Sequence, residues 1–159
     1  MKIYLDTSVI SMIDDSERGI ITKEFFEFVV KNNYVFVISE IVKTEIEDSK
    51  KNKGETILKF LETLNYDFLP HSEESHNLAW NYVKDRVLTE NHIDDLTHVA
   101  YATVFGCDLI VSWNRKHIVK LSKMQKINLC NVKNNYRPIT ICTPKEFLLF
   151  TNKETENEN

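Results

Sequence analysis

Three carboxylates in this chain have the types and surroundings that metal-dependent cleavage of a phosphodiester requires. Asp6 closes the apolar run Ile3-Tyr4-Leu5. Glu45 sits in a helical pattern that follows the run Val35-Phe36-Val37-Ile38. Asp95 opens the unit Asp95-Leu96-Thr97-His98-Val99-Ala100. Carboxylates without clustered Cys or His select hard cations such as Mg²⁺ or Mn²⁺. Such an ion lowers the pKa of an attacking water and neutralises charge on the phosphoryl oxygens, so no side-chain nucleophile is needed. The same acids repel phosphate until a cation fills them, which makes metal dependence strict.

Acids this far apart in sequence meet only if the fold gathers them. Lys2 to Asp6 reads as a strand, Thr7 to Ile13 as a short helix, and 17–32 as a second helix with Phe25, Phe26, Phe28, Val29 and Val30 inward. Tyr34 to Ile38 is a continuous apolar run, as expected of a strand covered on both faces. Ser39 reads as the N-cap of a helix to about Ser49. The polar stretch 50–54 reads as a turn. A helix over 56–64, a strand over 66–69, a helix over 72–88 and a helix over 94–105 follow. Leu109 to Ser112 is the next strand, and a short helix is expected over 117–123. Ile139 to Cys142 forms a last strand, and Thr143-Pro144-Lys145-Glu146 is a helix start with a capping box. Strands alternating with helices predict an α/β fold, three αβα layers around a central, mainly parallel sheet. Ligands of such sheets bind beyond the C-terminal ends of the strands. One domain over 1–150 and a disordered polar tail over 151–159 complete the expected organisation.

Each candidate has a structural alternative. Asp6 could cap the helix after it, but the strand end, the hydroxyls of Thr7 and Ser8 and the later acids favour a ligand role. Glu45 lies four residues after Ile41 and borders the stripe Ile38, Ile41, Val42 and Ile46; Glu40, nearer the strand end, is its main rival. Asp95 shares a helical face with Val99 and Ala102, while Asp94 beside it is the natural cap. A lone His such as His98 beside a core usually serves packing. Asn114, after the fourth strand, could orient a water or phosphate, or simply form a turn.

Net charge is −4, which by itself argues against a nucleic-acid partner, but the charge is unevenly placed. Residues 1–108 carry 20 acids against 11 Lys plus Arg, whereas 109–145 contain no acid and eight bases, Arg115, Lys116, Lys120, Lys123, Lys126, Lys133, Arg137 and Lys145. Such a stretch can attract phosphate, although Lys116, Lys120 and Lys123 also fit a solvated helix face. Cys107, Cys130 and Cys142 have no C-x-x-C spacing and read as free thiols in a reducing, cytoplasmic setting. No apolar run approaches the roughly 20 residues of a membrane span. The strand pattern begins at the N-terminus, with no signal peptide expected before it.

Taken in order, the segments Leu5-Asp6-Thr7-Ser8-Val9-Ile10, Thr44-Glu45-Ile46, Asp95-Leu96-Thr97-His98-Val99-Ala100-Tyr101-Ala102 and Asp108-Leu109-Ile110-Val111-Ser112-Trp113-Asn114 resemble the PIN-domain nucleases. Within that family they look like the VapC-like ribonuclease toxins of toxin–antitoxin systems. The resemblance implies Mg²⁺- or Mn²⁺-dependent hydrolysis of single-stranded RNA, with Asp6, Glu45 and Asp95 as the core acids and Ser8 as a polar neighbour of the metal. It also implies an antitoxin partner and a homodimer. One departure stands out. Many relatives carry Asp where this chain has Asn114, which weakens a second-metal site. The expected roles are therefore metal binding by Asp6, Glu45 and Asp95, orientation of water or phosphate by Asn114, and RNA contact by Ser8, Arg115, Lys116 and Lys120. A non-catalytic PIN-fold module that binds RNA or a protein partner is the alternative. A haloacid-dehalogenase-like phosphatase would want a second Asp two residues after the first, where this chain has Ser8.

Overall fold

The computed structural model describes residues 1–49 and 51–157. Its sheet has five strands, β1 (Lys2–Leu5), β2 (Val35–Ser39), β3 (Tyr66–Leu69), β4 (Leu109–Val111) and β5 (Thr140–Cys142), in the order β3-β2-β1-β4-β5. Every ladder is parallel. Successive strand residues point to opposite faces, yet Ile3, Tyr4 and Leu5 of β1 are all fully buried. Helices therefore cover both sides of the central strand, and the runs are continuously apolar because neither face meets water. The result is a three-layer α/β architecture.

The described helices are α1 (Thr7–Ser11), α2 (Gly19–Lys31), α3 (Glu40–Glu47), α4 (Lys51–Glu62), α5 (Glu73–Lys84), α6 (Ile93–Val104), α7 (Leu121–Lys133) and α8 (Pro144–Asn157), with a 3₁₀ turn at Glu90–His92 before α6. Phe25 and Phe26 of α2 pack edge-on against Phe36, Phe60 and Phe147, joining α2 to β2, α4 and α8. Such aromatic pairs add roughly 0.5–1.5 kcal/mol each beyond area burial. A side chain at Gly19 would put a Cβ 2.8 Å from the Ile13 carbonyl oxygen, so this close passage at the start of α2 requires glycine. No helix among the described residues is long and apolar enough to cross a membrane.

Four local expectations are revised. The backbone of 51–54 belongs to α4 and not to a turn; position 50 lies outside the described residues. The helix expected over 117–123 is instead α7, which starts at Leu121 and runs to Lys133, after turns over 114–120. Its face is blurred in sequence because Leu121, Leu129 and Val132 are exposed, while Asn131 is buried and accepts a 2.5 Å hydrogen bond from the Tyr82 hydroxyl. Asp94 does not cap α6: that helix begins one residue earlier, with His92 at the cap position. Finally, α8 continues through Asn157, so most of 151–159 is helical backbone where composition suggested disorder; 158 and 159 lie outside the described residues. The capping box that starts α8 is formed. Glu146 N–H donates to Thr143 Oγ1 at 3.1 Å and Thr143 N–H donates to Glu146 Oε2 at 2.8 Å.

The order of the strands locates the functional edge. From β1 the chain builds outward through β2 and β3 on one side, and returns through β4 and β5 on the other. The switch point lies between β1 and β4, where open α/β sheets form a crevice beyond the strand ends. Asp6 follows β1 there, and Ser112 follows β4.

Candidate functional site

Asp6 stands at the N-cap position of α1, but its side chain does not cap the helix. Its Oδ2 instead accepts from Ser8 Oγ at 2.6 Å and from Ser112 Oγ at 2.5 Å. Ser112 Oγ also accepts from Asn114 N–H, and Ser8 Oγ accepts from Trp113 N–H, both at 2.9 Å. A pair of hydroxyls, one from each side of the switch point, thus fixes one oxygen of a buried carboxylate. The other, Oδ1, lies 3.6 Å from His98 Nε2.

Glu45 projects from α3 toward the same place. Its Oε2 accepts from Thr7 Oγ1 and lies 3.1 Å from His98 Nε2. Behind the imidazole, His98 Nδ1 is 2.9 Å from the Tyr4 hydroxyl, which is 2.7 Å from Ser39 Oγ. Ser39 occupies the N-cap position of α3, yet its hydroxyl serves this chain of contacts and not the cap. Burial disfavours the charged form of His98, but its bond to Glu45 and the charges of Asp6, Glu45 and Asp95 outweigh this and raise its pKa above 6.5. As an imidazolium it donates from Nε2 to Glu45 and from Nδ1 to Tyr4, which then donates to Ser39. Burial opposes ionisation of Glu45 as well, but His98 and Thr7 pull its carboxyl below the ordinary value.

Asp95, in the first turn of α6, is held differently. Oδ1 accepts from Asn114 Nδ2 at 2.7 Å. Oδ2 lies 2.8 Å from His117 Nδ1 and 3.6 Å from His92 Nδ1. Asn114 also accepts from His117 N–H at 3.1 Å, so it both forms the turn and orients the acid. Burial raises the pKa of Asp95, the Asp6 charge adds to this, and His117 offsets it only in part. Two carboxylates in one site are therefore pushed in opposite directions, Glu45 down because His98 and Thr7 outweigh its burial, and Asp95 up because its burial outweighs His117.

Asp6 and Glu45 thus meet through His98, and Asp95 lies within electrostatic reach of Asp6 and His98. The three acids do not form a compact cage. Among the described residues, two groups of three have ligand atoms all within 4.8 Å of one another: His92 with Asp95 and His117, and Glu40 with His71 and His76. Glu40, the sequence rival of Glu45, belongs to the second. Arg115, Lys116 and Lys120 are exposed in the segment that follows Asn114, with Arg115 3.8 Å from Glu146. Lys123 and Lys126 instead reach the Val87 and Arg86 carbonyls, and Lys133 pairs with Asp85 at 2.7 Å, so these three brace α7.

Sequence reasoning gave Ser112 no role, set His98 aside as structural and did not weigh His92. Ser112 was findable: it follows β4 as Asp6 follows β1, and Leu5 pairs with Val111. Nothing in the local pattern marks His92 or His117, which are 25 residues apart in sequence and lie side by side, tilted, with ring centroids 4.0 Å apart.

No protein-family model matches the chain, and no curated protein matches it in sequence. Solved structures do. VapBC2 from Rickettsia felis, bound to a DNA fragment from its promoter, superposes with a TM-score of 0.58 at 17% identity, covering 77% of this chain and 95% of that one. VapC20 from Mycobacterium tuberculosis, a Sarcin-Ricin loop cleaving toxin, gives 0.58 at 13% identity, covering 74% and 93%. The chain has the PIN-domain fold of the VapC toxins. FitAcB from Neisseria gonorrhoeae shares it with a TM-score of 0.53 at 15% identity, over 89% of this chain and 97% of that one. At these identities the likeness speaks for the PIN fold, and any chemistry must be argued from the side chains.

Proposed function

We propose that this chain is a divalent-metal-dependent endoribonuclease acting on single-stranded RNA, the toxin of a toxin–antitoxin pair. The observation that carries the reading is that Asp6 and Glu45 share His98 at the switch point of a PIN-fold sheet, with Asp95 within electrostatic reach of both Asp6 and His98. The donor set fits a hard cation. It offers carboxylate oxygens, the atoms such an ion prefers, and the burial that raises the pKa of Asp95, with a smaller push from the Asp6 charge, is a cost that a bound cation would offset. Mg²⁺ or Mn²⁺ held by Asp6, Glu45 and Asp95 would supply water activation and charge neutralisation at the phosphate.

The chain's own groups do the rest. Ser8 and Ser112 hold Asp6 with one oxygen satisfied and the other facing the site. Thr7 and His98 keep Glu45 ionised. Asn114 fixes Asp95 and is the group nearest to it that can orient a water or a phosphate oxygen. Arg115, Lys116 and Lys120, with Ser8, are the proposed contacts for RNA, drawing in a polyanion that the overall negative charge would repel. A cytoplasmic setting, an antitoxin partner and a homodimer belong to the same proposal; the fold shared with VapBC2 and FitAcB supports the antitoxin partner.

The test is cleavage of a mixed single-stranded RNA by purified protein with Mg²⁺, Mn²⁺ or EDTA, beside Asp6→Asn and Asp95→Asn. Metal-dependent cleavage lost in both variants is the expected result. Folded protein that cleaves none of several RNAs with either metal would favour the non-catalytic module. The observation favouring that second reading is that Asn114 and His117 already occupy both oxygens of Asp95.

A further inference from the structure

Glu40 begins α3 at the C-terminal end of β2, the position from which a second candidate acid could have joined the site. It turns instead toward the connection between β3 and α5. Its Oε1 lies 2.8 Å from His71 Nδ1 and 3.7 Å from His76 Nε2, and all three ligand atoms lie within 4.8 Å of one another. We propose that Glu40, His71 and His76 form a separate binding site for a borderline transition-metal ion of the Zn²⁺ class.

Three features make this a built site and not a chance meeting of surface groups. First, Glu40 is oriented from behind. The hydroxyl of buried Tyr101 donates to the same Oε1 at 2.8 Å, and Ser72 N–H donates to that hydroxyl at 3.0 Å. Outer partners of this kind fix ligating carboxylates in metal sites. Second, the ligands are anchored on different elements, since Glu40 is on α3, His71 on the loop after β3 and His76 in α5, with the two imidazoles 5.0 Å apart by ring centroid. Third, the donors are two imidazoles and one carboxylate, a set that suits Zn²⁺ with a fourth position left for water and poorly suits Mg²⁺, which prefers oxygen. His71 is exposed, with a side-chain accessibility of 68%, so an ion can enter from solvent.

The consequence is mechanical. Helix α3 carries both Glu40 and Glu45, and α6 carries Asp95, His98 and Tyr101. An ion at Glu40 ties the first turn of α3 to the start of α5, with Tyr101 bracing it from α6. The site uses none of the residues assigned to RNA cleavage and stands whether or not the chain cleaves RNA.

The test is titration of the EDTA-treated full-length protein with Zn²⁺, reading imidazole ¹⁵N resonances. Micromolar Zn²⁺ should shift His71 Nδ1 and His76 Nε2 to the ligated range in wild type and equally in Asp6→Asn, while millimolar Mg²⁺ leaves them unmoved. Glu40→Gln, and the double variant His71→Ala with His76→Ala, should lose this binding event by calorimetry with an unchanged circular dichroism spectrum. Tyr101→Phe should weaken it by roughly 10–100-fold. Resonances of His71 and His76 that stay put up to millimolar Zn²⁺, or that shift undiminished in Glu40→Gln, would overturn the proposal. The result is read at named histidines, so an RNA-cleavage outcome of either sign does not alter it.

Discussion

The two halves of the acidic site are built by different means. On the β1 side, Asp6 and Glu45 are held by hydroxyls (Ser8, Ser112 and Thr7) and share a buried histidine. On the α6 side, Asp95 is held by an amide and two adjacent, partly exposed imidazoles. The side chain of His98 is 3% exposed and that of His117 23%. The first half is thus built on a satisfied, dry network that must form for the core to close, because Tyr4, His98, Ser39, Asp6 and Ser112 are all inside and only Glu45 reaches out to solvent, with 36% of its side chain exposed. The second is a rim whose two imidazoles are both reached by water. Burial makes electrostatics strong and unpaired groups costly, so the first half should answer to mutation through stability and chemistry together. The second should answer mainly through chemistry.

Experiments can break this contrast in order of expected effect. Asp6→Asn should bring metal-dependent RNA cleavage to background while leaving the fold intact by circular dichroism, because the amide keeps the shape but not the charge. Next, Ser112→Ala and Asn114→Ala each remove a partner of one acid. Each should lower activity by roughly 10–100-fold, but Ser112→Ala should also lower the midpoint of urea unfolding, and Asn114→Ala should not. Equal losses of stability would erase the proposed difference between dry and wet halves.

The histidines give a sharper comparison. His98→Ala removes one of two hydrogen-bond partners from the Tyr4 hydroxyl and from Glu45 and empties a buried position, and should cost about 1–3 kcal/mol in urea unfolding. His117→Ala removes a half-exposed contact and should cost under about 1 kcal/mol. A reversed order would mean that the rim, and not the buried network, holds the site together.

The smallest effect concerns charge in metal-free protein. The Glu45 carboxyl is depressed below 4.5, so its contribution to stability is present above that pH and is lost as pH falls through the depressed value. The Asp95 carboxyl is raised above 3.8, so ionising it costs stability, and that cost appears as pH rises through the raised value. In EDTA at neutral pH, Glu45→Gln should therefore destabilise and Asp95→Asn should stabilise slightly, each by less than about 1 kcal/mol. Denaturant curves for both variants, repeated at acid pH, would show whether the signs differ as stated.

Much of the fold was legible because strand runs such as Val35 to Ile38 and capping signals such as Thr143-x-x-Glu146 are local. Their energetics are decided within a few residues. The helix α7 was not legible in the same way. Its buried positions are Ile127, Cys130 and Asn131, its exposed ones include Leu121, Leu129 and Val132, and its start has no capping side chain. The stretch 51–54 was misread for the related reason that Lys51-Asn52-Lys53-Gly54 carries no apolar side chain, so no hydrophobic period marks it as helix.

The candidate site divides along the same line. The sequence by itself determined which acids could serve: Asp6 at a strand end, Glu45 beside a helical stripe and Asp95 in a first turn are positions set by local periodicity, which a chain expresses wherever it folds. Only the tertiary structure decided who their partners are. Glu40 leaves Glu45 for His71 and His76, His98 joins Asp6 to Glu45, and Ser112 reaches Asp6 across 106 positions of sequence. Those choices depend on the order β3-β2-β1-β4-β5, which sets strand ends distant in sequence beside one another. Hydrogen bonds act over about 3 Å, so a pattern read along the chain can name the groups, but contacts at that range exist only once the sheet has brought them together.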